Sequence, residues 1–135
     1  MKGDRATALV CRDGKLMMIH RLRAGMEYYV LPGGHVEDGE TVEIAVIREL
    51  KEETSLDAKL GSKLYSFADK EGRNHHIYSC DYVSGLPKLP PDSIESTRAN
   101  EGSHNPLWVD IDEIKGLTIW PTGTRSFLLD YFNKS

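Results

Sequence analysis

Three glutamates in the middle of the chain have a spacing that could gather them around a cation. Glu49 and Glu53 are four residues apart and Glu49 and Glu52 are three apart, so on a helix their carboxylates converge on one face. Like charges so placed repel one another by roughly 0.2–0.5 kcal/mol per pair unless a cation lies between them. Carboxylate oxygens favour Mg²⁺ or Mn²⁺ over zinc. For the cluster alone, a solvated acidic face is the favoured interpretation, and a divalent-cation site is the alternative that the spacing permits.

The positions around these glutamates match a known pattern, the Nudix box G-x5-E-x7-R-E-U-x-E-E-x-G-U, where U is apolar. Eight of its nine defined positions are present, at Gly34, Glu40, Arg48, Glu49, Leu50, Glu52, Glu53 and Leu56. The chain therefore resembles the Nudix (MutT-like) hydrolase family. The run YVLPGG at 29–34 and the run WVD at 108–110, followed by a short helix, extend the resemblance over most of the chain.

The resemblance implies a reaction and a cofactor. Nudix enzymes hydrolyse a nucleoside diphosphate linked to another group, with divalent metal ions held by the helix of the box. Phosphate oxygens repel a water nucleophile until their charge is neutralised, so such ions suit the chemistry. We therefore expect Mg²⁺, or Mn²⁺ in its place, as cofactor and a small nucleotide as substrate, with neither a nucleic acid polymer nor a membrane as partner.

The resemblance also assigns roles within the site. Glu52 and Glu53 are expected to be the principal metal ligands, helped by the backbone carbonyl of Gly34. Glu49 is expected to be a further ligand or the base that deprotonates the attacking water. Arg48 joins this catalytic set because its counterpart in the family orients the carboxylates of the box from the supporting side.

Two other positions of the box bear on its geometry. Glu40 is expected to pair with the arginine of the box. Ser55 stands where the family has glycine. A residue just after a helix often takes the left-handed conformation, in which a side chain costs roughly 1 kcal/mol. We expect a modest loss of stability, with the carboxylate geometry kept.

A further carboxylate is expected from a loop late in the chain, because many Nudix enzymes draw a ligand or base from there. Glu95 and Glu101 both lie before the final strand, and Glu101, which is nearer to that strand, is preferred. A solvated loop carboxylate is the alternative for either residue.

The candidate substrate contacts lie near the box. Arg21 and Arg23 follow the second predicted strand and could bind phosphate through their guanidinium groups, or could be ordinary charged loop residues. Gly33 and Gly34 join the substrate-binding set because glycine permits backbone conformations that other residues resist. The aromatic residues at 28, 78, 82 and 108 are expected mainly in the core.

Three functions remain in competition: a diphosphate hydrolase, a non-catalytic nucleotide-binding or regulatory module of the same fold, and a plain acidic interaction domain. The complete glutamate set favours the hydrolase. Residues 57–74 lack the proline that marks the ADP-ribose subgroup, and the tyrosines nearby are wrongly spaced for the diadenosine-polyphosphate subgroup. Nucleoside triphosphates or related nucleotides are left by elimination.

The elements that must position these residues follow from hydrophobic periodicity and turn signals. A helix is predicted over 41–53 with Thr41 as its N-cap, and a closing helix over 124–132. Strands are predicted at 7–11, 16–20, 27–31, 64–67, 76–83 and 107–109, with a hairpin at Asp13-Gly14 and a long loop over 84–105. The fold class is α/β, an α+β mixed sheet. The resemblance makes it an α/β/α sandwich around the catalytic helix.

Composition bounds the rest. The 135 residues carry a net charge of −4, with 39% hydrophobic and 28% charged side chains, as in one globular domain over 1–135. No apolar run approaches the roughly 18 residues of a membrane span, and no secretory signal is evident, so a cytoplasmic location is expected. Cys11 and Cys80 are expected to be buried hydrophobes. A homodimer is left open. Residues 37–53 hold seven of the 21 acidic side chains but only two of the 17 basic ones.

Overall fold

A computed structural model describes residues 3–88 and 103–133 of the chain. Within these residues the elements are, in chain order, β1 Arg5–Arg12, β2 Lys15–Arg23, β3 Met26–Val30, β4 Gly33–His35, α1 Val42–Thr54, β5 Asp57–Ala68, β6 Asn74–Ser84, β7 Ser103–Asp110, a 3₁₀ helix Ile111–Gly116 and α2 Thr122–Asn133.

The seven strands of the described residues form one mixed sheet. Its main path runs β3-β2-β1-β6-β5, with β4 paired to β1 and β7 paired to β2. The β1–β6 pair is parallel and the other strand pairs are antiparallel. Strands β1 and β2 pair only next to their hairpin, and beyond it β4 takes the place beside β1. This divergence brings the short strand β4 into the sheet directly beneath α1. The combination of parallel and antiparallel pairs confirms the predicted mixed sheet.

Two apolar clusters fill the faces of the sheet. Alternate residues of β1 and β6 point to opposite faces. The first cluster lies between the sheet and α1, and includes Ala8, Val10, Val46, Leu50, Tyr78 and Cys80. The second lies between the sheet and the 3₁₀ helix with α2, and includes Leu9, Leu16, Met18, Ile77, Ile114 and Leu128. Each large side chain so buried stabilises the fold by roughly 1.5–3 kcal/mol. The three-layer arrangement confirms the predicted α/β/α sandwich.

Tight turns fix the register of the first three strands. Asp13 and Gly14 both have positive φ, at 52° and 77°, as a two-residue hairpin turn requires. The predicted hairpin is therefore confirmed. Ala24 and Gly25 form a second turn of the same kind between β2 and β3, with φ of 52° and 78°. That turn was not predicted, because alanine is an uncommon residue at positive φ.

Helix α1 begins and ends as its sequence predicts. The Thr41 hydroxyl accepts a hydrogen bond from the backbone N–H of Ile44, at 3.2 Å, and so caps the first turn. Ser55 has a φ of 67°, in the left-handed region, and its N–H donates to the Lys51 carbonyl. Its hydroxyl donates to the Lys88 carbonyl at 2.7 Å. The left-handed conformation expected at this position is confirmed, and the serine gains one hydrogen bond there.

The cost of this conformation can be measured by comparing two variants, Ser55→Gly and Ser55→Ala. Both lose the hydroxyl, but alanine keeps the left-handed strain and glycine relieves it. We expect the glycine variant to exceed the alanine variant by about 1 kcal/mol in free energy of unfolding. Urea denaturation measures this difference. An alanine variant as stable as the glycine variant would show that the backbone at this position is not strained.

Three sequence-based expectations need correction. Strand β7 begins at Ser103, inside the predicted loop over 84–105, and residues 89–102 of that loop lie outside the described residues. Strand β5 is longer than the predicted 64–67. Its full length was not predicted because most of its side chains are exposed and give no clear hydrophobic alternation. Cys80 is buried as predicted, but Cys11 is exposed at the end of β1. None of the helices within the described residues is long and apolar enough to cross a membrane.

Candidate active site

Glu53 is anchored where β4 enters the sheet. Its side chain is buried, with 5% of the residue exposed, and its Oε1 accepts a hydrogen bond of 2.5 Å from the N–H of Gly33. Gly33 pairs with Thr7 of β1, and a Cβ at position 33 would overlap the carbonyl of Ala6. Close packing between β4 and β1 therefore requires glycine, and it presents the backbone N–H to the carboxylate.

Arg48 organises the outer carboxylates of α1. Its Nε and Nη2 donate to the two oxygens of Glu40 at 2.6 and 2.9 Å, a bidentate pair that holds the pKa of Glu40 at about 2. Its Nη1 donates to Glu49 at 2.8 Å and lies 3.2 Å from Glu52, which is half exposed. Nη2 also donates to the carbonyl of His35 at 2.9 Å. One guanidinium group thus links α1 to β4 through the carbonyl of His35 and holds three carboxylates in place.

Glu49 lies between this arginine and the buried carboxylate. Burial and the charge of Glu53 raise the pKa of Glu49 to about 7, although the hydrogen bond from Arg48 opposes the shift. A Cβ at Gly34 would overlap the Glu49 carboxylate, so that carboxylate lies directly against the backbone of β4. The predicted convergence of carboxylates on one helix face is therefore tightest at Glu49 and Glu53.

Two basic groups approach Glu53 from the sheet. Nε2 of His104, on β7, lies 3.2 Å from Oε2 of Glu53, and both side chains are buried. The guanidinium group of Arg5, on β1, is also near, since Glu53 and Glu49 both act to raise the pKa of Arg5. Burial is the larger effect, and it lowers that pKa below its ordinary value. Glu53 therefore lies close to a guanidinium group and to a histidine ring as well as to Glu49.

A cavity of about 240 Å³ opens beside Glu53. Its walls include three arginines, Arg5, Arg21 and Arg73, and two aromatic residues, Tyr28 and Trp120. The two aromatic rings lie 6.2 Å apart between centroids and are inclined at 58°. The cavity is thus basic on one part of its wall and aromatic on another, and Glu53 of α1 contributes to the same wall.

The predicted substrate contacts are placed differently by the sheet. Arg21 lines the cavity, whereas Arg23 is exposed two residues further along β2 and does not. Glu95 and Glu101 lie outside the described residues, and a late-loop carboxylate stays a prediction. His75 pairs with Asp69 at 2.8 Å.

The carboxylates of α1 fit a divalent cation by their chemistry. Across residues 3–88 and 103–133, no three His, Cys, Asp or Glu side chains already stand in a coordinating arrangement. Glu49 and Glu53 are nevertheless hard oxygen donors, and burial together with the charge of Glu53 raises the pKa of Glu49 to about 7. A divalent cation can take the place of that proton. The residues that could hold it are Glu49, Glu52, Glu53 and the carbonyl of Gly34.

Sequence reasoning missed four residues around Glu53. Arg5 and Arg73 meet because β1 and β6 pair in parallel, with Arg5 opposite His75. Hydrophobic alternation predicts a strand but not its partner, so no local signal placed these arginines together. His104 falls in the predicted loop over 84–105, where prolines at 87, 90 and 91 and weak hydrophobic periodicity gave no strand signal, and Trp120 lies between predicted elements. The sequence signal for β7 lay in its last residues, the predicted strand at 107–109, which is continuous with His104 in the structure.

Comparisons with known proteins bear on the family and the fold of the chain. The model of the NUDIX domain matches residues 1–131. An ADP-ribose pyrophosphatase from Methanocaldococcus jannaschii is 40% identical over 94 residues, which cover 65% of this chain and 56% of that protein. An oxidized purine nucleoside triphosphate hydrolase from Mus musculus is 33% identical over 102 residues, or 72% of this chain and 58% of that protein. The chain thus spans somewhat more than half the length of these two relatives.

A solved structure shows the same fold. A NUDIX hydrolase from Nitrosomonas europaea superposes with a TM-score of 0.74 over 98% of this chain and 90% of that one, at 21% identity. At this identity the likeness concerns the fold. The fold class predicted from the box and from the order of the elements is therefore confirmed.

Proposed function

The chain belongs to the Nudix hydrolase family, and on that premise we propose that it is a divalent-cation-dependent hydrolase of a diphosphate linkage in a nucleoside diphosphate derivative. A nucleoside triphosphate or a related small nucleotide is the proposed substrate, and Mg²⁺, with Mn²⁺ as a substitute, the proposed cofactor. The observation that carries the proposal is the ordered carboxylate cluster of α1. A solvated acidic face would not need an arginine bonded to three carboxylates and a buried glutamate bonded to a glycine N–H.

The residues of the site divide the work between holding and reacting. Arg48 and Glu40 fix the loop and the helix relative to each other through their bidentate pair. Glu53 is held by Gly33, and Glu49, whose carboxylate lies against Gly34, is the proposed further ligand or general base. When bound, the cation would neutralise the phosphate oxygens and lower the pKa of a water molecule.

The reaction itself is a hydrolysis at phosphorus. The oxygen of a water molecule forms a bond to one phosphorus atom, and the bond from that atom to the bridging oxygen breaks. One product keeps the new hydroxyl oxygen, the other keeps the bridging oxygen, and a proton is released. A carboxylate in the position of Glu49 can receive that proton.

The proposal is tested by a panel of substrates with product identification by chromatography. The panel contains nucleoside triphosphates and their oxidised forms, nucleotide sugars, ADP-ribose and dinucleoside polyphosphates, each with Mg²⁺, with Mn²⁺ and with a chelator. We expect turnover of at least one of them in the presence of a divalent cation and none with the chelator. Binding without turnover across the whole panel would contradict the proposal and favour a non-catalytic nucleotide-binding module.

The variant Gly34→Ala, in β4, is a sharper test of the role of Glu49. The added methyl group would displace the Glu49 carboxylate, and a misplacement of this size lowers the rate by about 10- to 100-fold. Steady-state kinetics on the best substrate of the panel measure the effect. Gly116→Ala is the matched control, because a Cβ at Gly116 meets no atom within 4 Å. A Gly34→Ala enzyme with the wild-type rate would remove Glu49 from the proposed mechanism.

A further inference from the structure

The basic wall of the cavity beside Glu53 is assembled from three separate parts of the chain. Arg5 comes from the start of β1, Arg21 from β2, and Arg73 from the turn that precedes β6. The three guanidinium groups are close enough for Arg73 and Arg21 to oppose protonation of Arg5. Like charges brought together in this way destabilise a fold unless an anion lies among them.

Within the described residues these arginines lack sufficient anionic partners. The Nε atoms of Arg21 and Arg73 are buried and have no hydrogen-bond partner there. Among the described residues of the cavity wall, Glu53 supplies the carboxylate, and it already accepts the N–H of Gly33 and faces His104. A buried donor left unpaired destabilises the fold, and more so when it is charged. The cavity is therefore complementary to an anion that is not part of the described chain.

The position of the cavity indicates what this anion belongs to. Glu53 is shared between the carboxylate cluster and the cavity wall, so a group bound by the arginines lies next to the reacting linkage. Guanidinium groups suit the oxygens of a phosphate, which they can bind in pairs. A neutral sugar in the same place would leave the charges unpaired.

We propose that Arg5, Arg21 and Arg73 form a subsite for a third anionic group of the substrate, and that this subsite makes the protein prefer nucleoside triphosphates to nucleotide sugars. The inference rests on the proposed function and names the substrate class of the same site. The reaction would convert a nucleoside triphosphate and water into a nucleoside monophosphate and inorganic diphosphate. One bridging P–O bond breaks, one P–O bond forms to the water oxygen, and a proton is released.

The experiment measures binding in the absence of turnover. Calorimetric titration in a chelating buffer compares each nucleoside triphosphate with the nucleoside diphosphate glucose of the same base, so that the base is matched. The variants are Arg21→Gln and Arg73→Gln, each checked by its melting temperature. Arg12→Gln is the control, because Arg12 lies at the opposite end of β1, against the ring of Tyr82, and loses the same charge.

We expect the wild-type protein to bind at least one triphosphate about tenfold more tightly than its sugar counterpart. Arg21→Gln and Arg73→Gln should reduce that preference to less than about threefold, and Arg12→Gln should keep it. Equal wild-type affinities, no triphosphate binding, or an unchanged preference in both variants would overturn the inference. A protein that binds triphosphates through these arginines but turns over no member of the substrate panel with Mg²⁺ would contradict the proposed function alone. Turnover of nucleotide sugars, with no preference for triphosphates in binding, would contradict this inference alone.

Discussion

Replacing Glu53 by glutamine should lower the rate of diphosphate hydrolysis by about 10²–10⁴-fold while leaving the fold in place. The amide oxygen of glutamine can still accept the hydrogen bond from Gly33, so the local packing is kept. The negative charge is lost at the most buried carboxylate of the cluster, where both cation binding and the neighbouring Glu49 depend on it. Steady-state kinetics with saturating Mg²⁺ measure the loss.

The control for this variant lies on the same helix. Glu43→Gln removes an equal charge from the first turn of α1, at an exposed position outside the cluster. It should keep the wild-type rate within about twofold, as surface substitutions away from a site usually do. If Glu53→Gln retained most of the activity, or if both variants lost it equally, α1 would not be the catalytic centre.

The metal-free protein should become less stable relative to a Glu49→Gln variant as the pH rises. Native Glu49 has a pKa of about 7 because of burial and the charge of Glu53, against 4.5 for an ordinary glutamate. Between these two values the unfolded chain has released the proton that the native state still holds. The unfolded state therefore binds fewer protons, and the free energy of unfolding falls with rising pH in this window. The full difference is at most about 3 kcal/mol, and solvent reduces it.

This effect is isolated by subtracting the two proteins' curves. His75, whose pKa is lowered by burial, changes stability with the opposite sign below its ordinary pKa of 6.5, but it is present in both proteins and cancels. Urea denaturation in a chelating buffer at pH 4 and pH 8 gives the two differences. Saturating Mg²⁺ at pH 8 should stabilise the wild type more than the variant, because a bound cation removes the repulsion. A difference independent of pH would show that Glu49 ionises as an exposed glutamate does.

Local sequence signals predicted the parts of the site that one segment supplies. The spacing of the glutamates, the Thr41 cap and the left-handed Ser55 are all set within α1 and its ends, where i to i+4 geometry and turn chemistry decide the structure. The pairing of Arg48 with Glu40 follows from the box, because only eight residues separate them. These features could be predicted because no distant part of the chain is needed to form them.

The basic half of the site depends on distant parts of the chain instead. Arg5 and Arg73 come together through a parallel strand pair whose members are separated by the whole of β2 to β5. His104 reaches Glu53 through β7, which pairs along β2 and passes through a proline. The packing of the complete sheet determines which strands pair. Hydrophobic periodicity along one strand does not indicate its partner. The carboxylates were therefore predictable from the sequence, and the cavity beside them was not.

Mn²⁺ binding measured by electron paramagnetic resonance tests most directly whether the carboxylates of α1 bind a divalent cation. Binding to protein removes the signal of free aqueous Mn²⁺, so a titration counts bound ions without any substrate. We expect the wild type and Glu43→Gln to bind Mn²⁺ alike, and the Glu49→Gln/Glu53→Gln double variant to bind at least tenfold more weakly. Equal binding by the wild type and the double variant would contradict the account and leave α1 as a solvated acidic face.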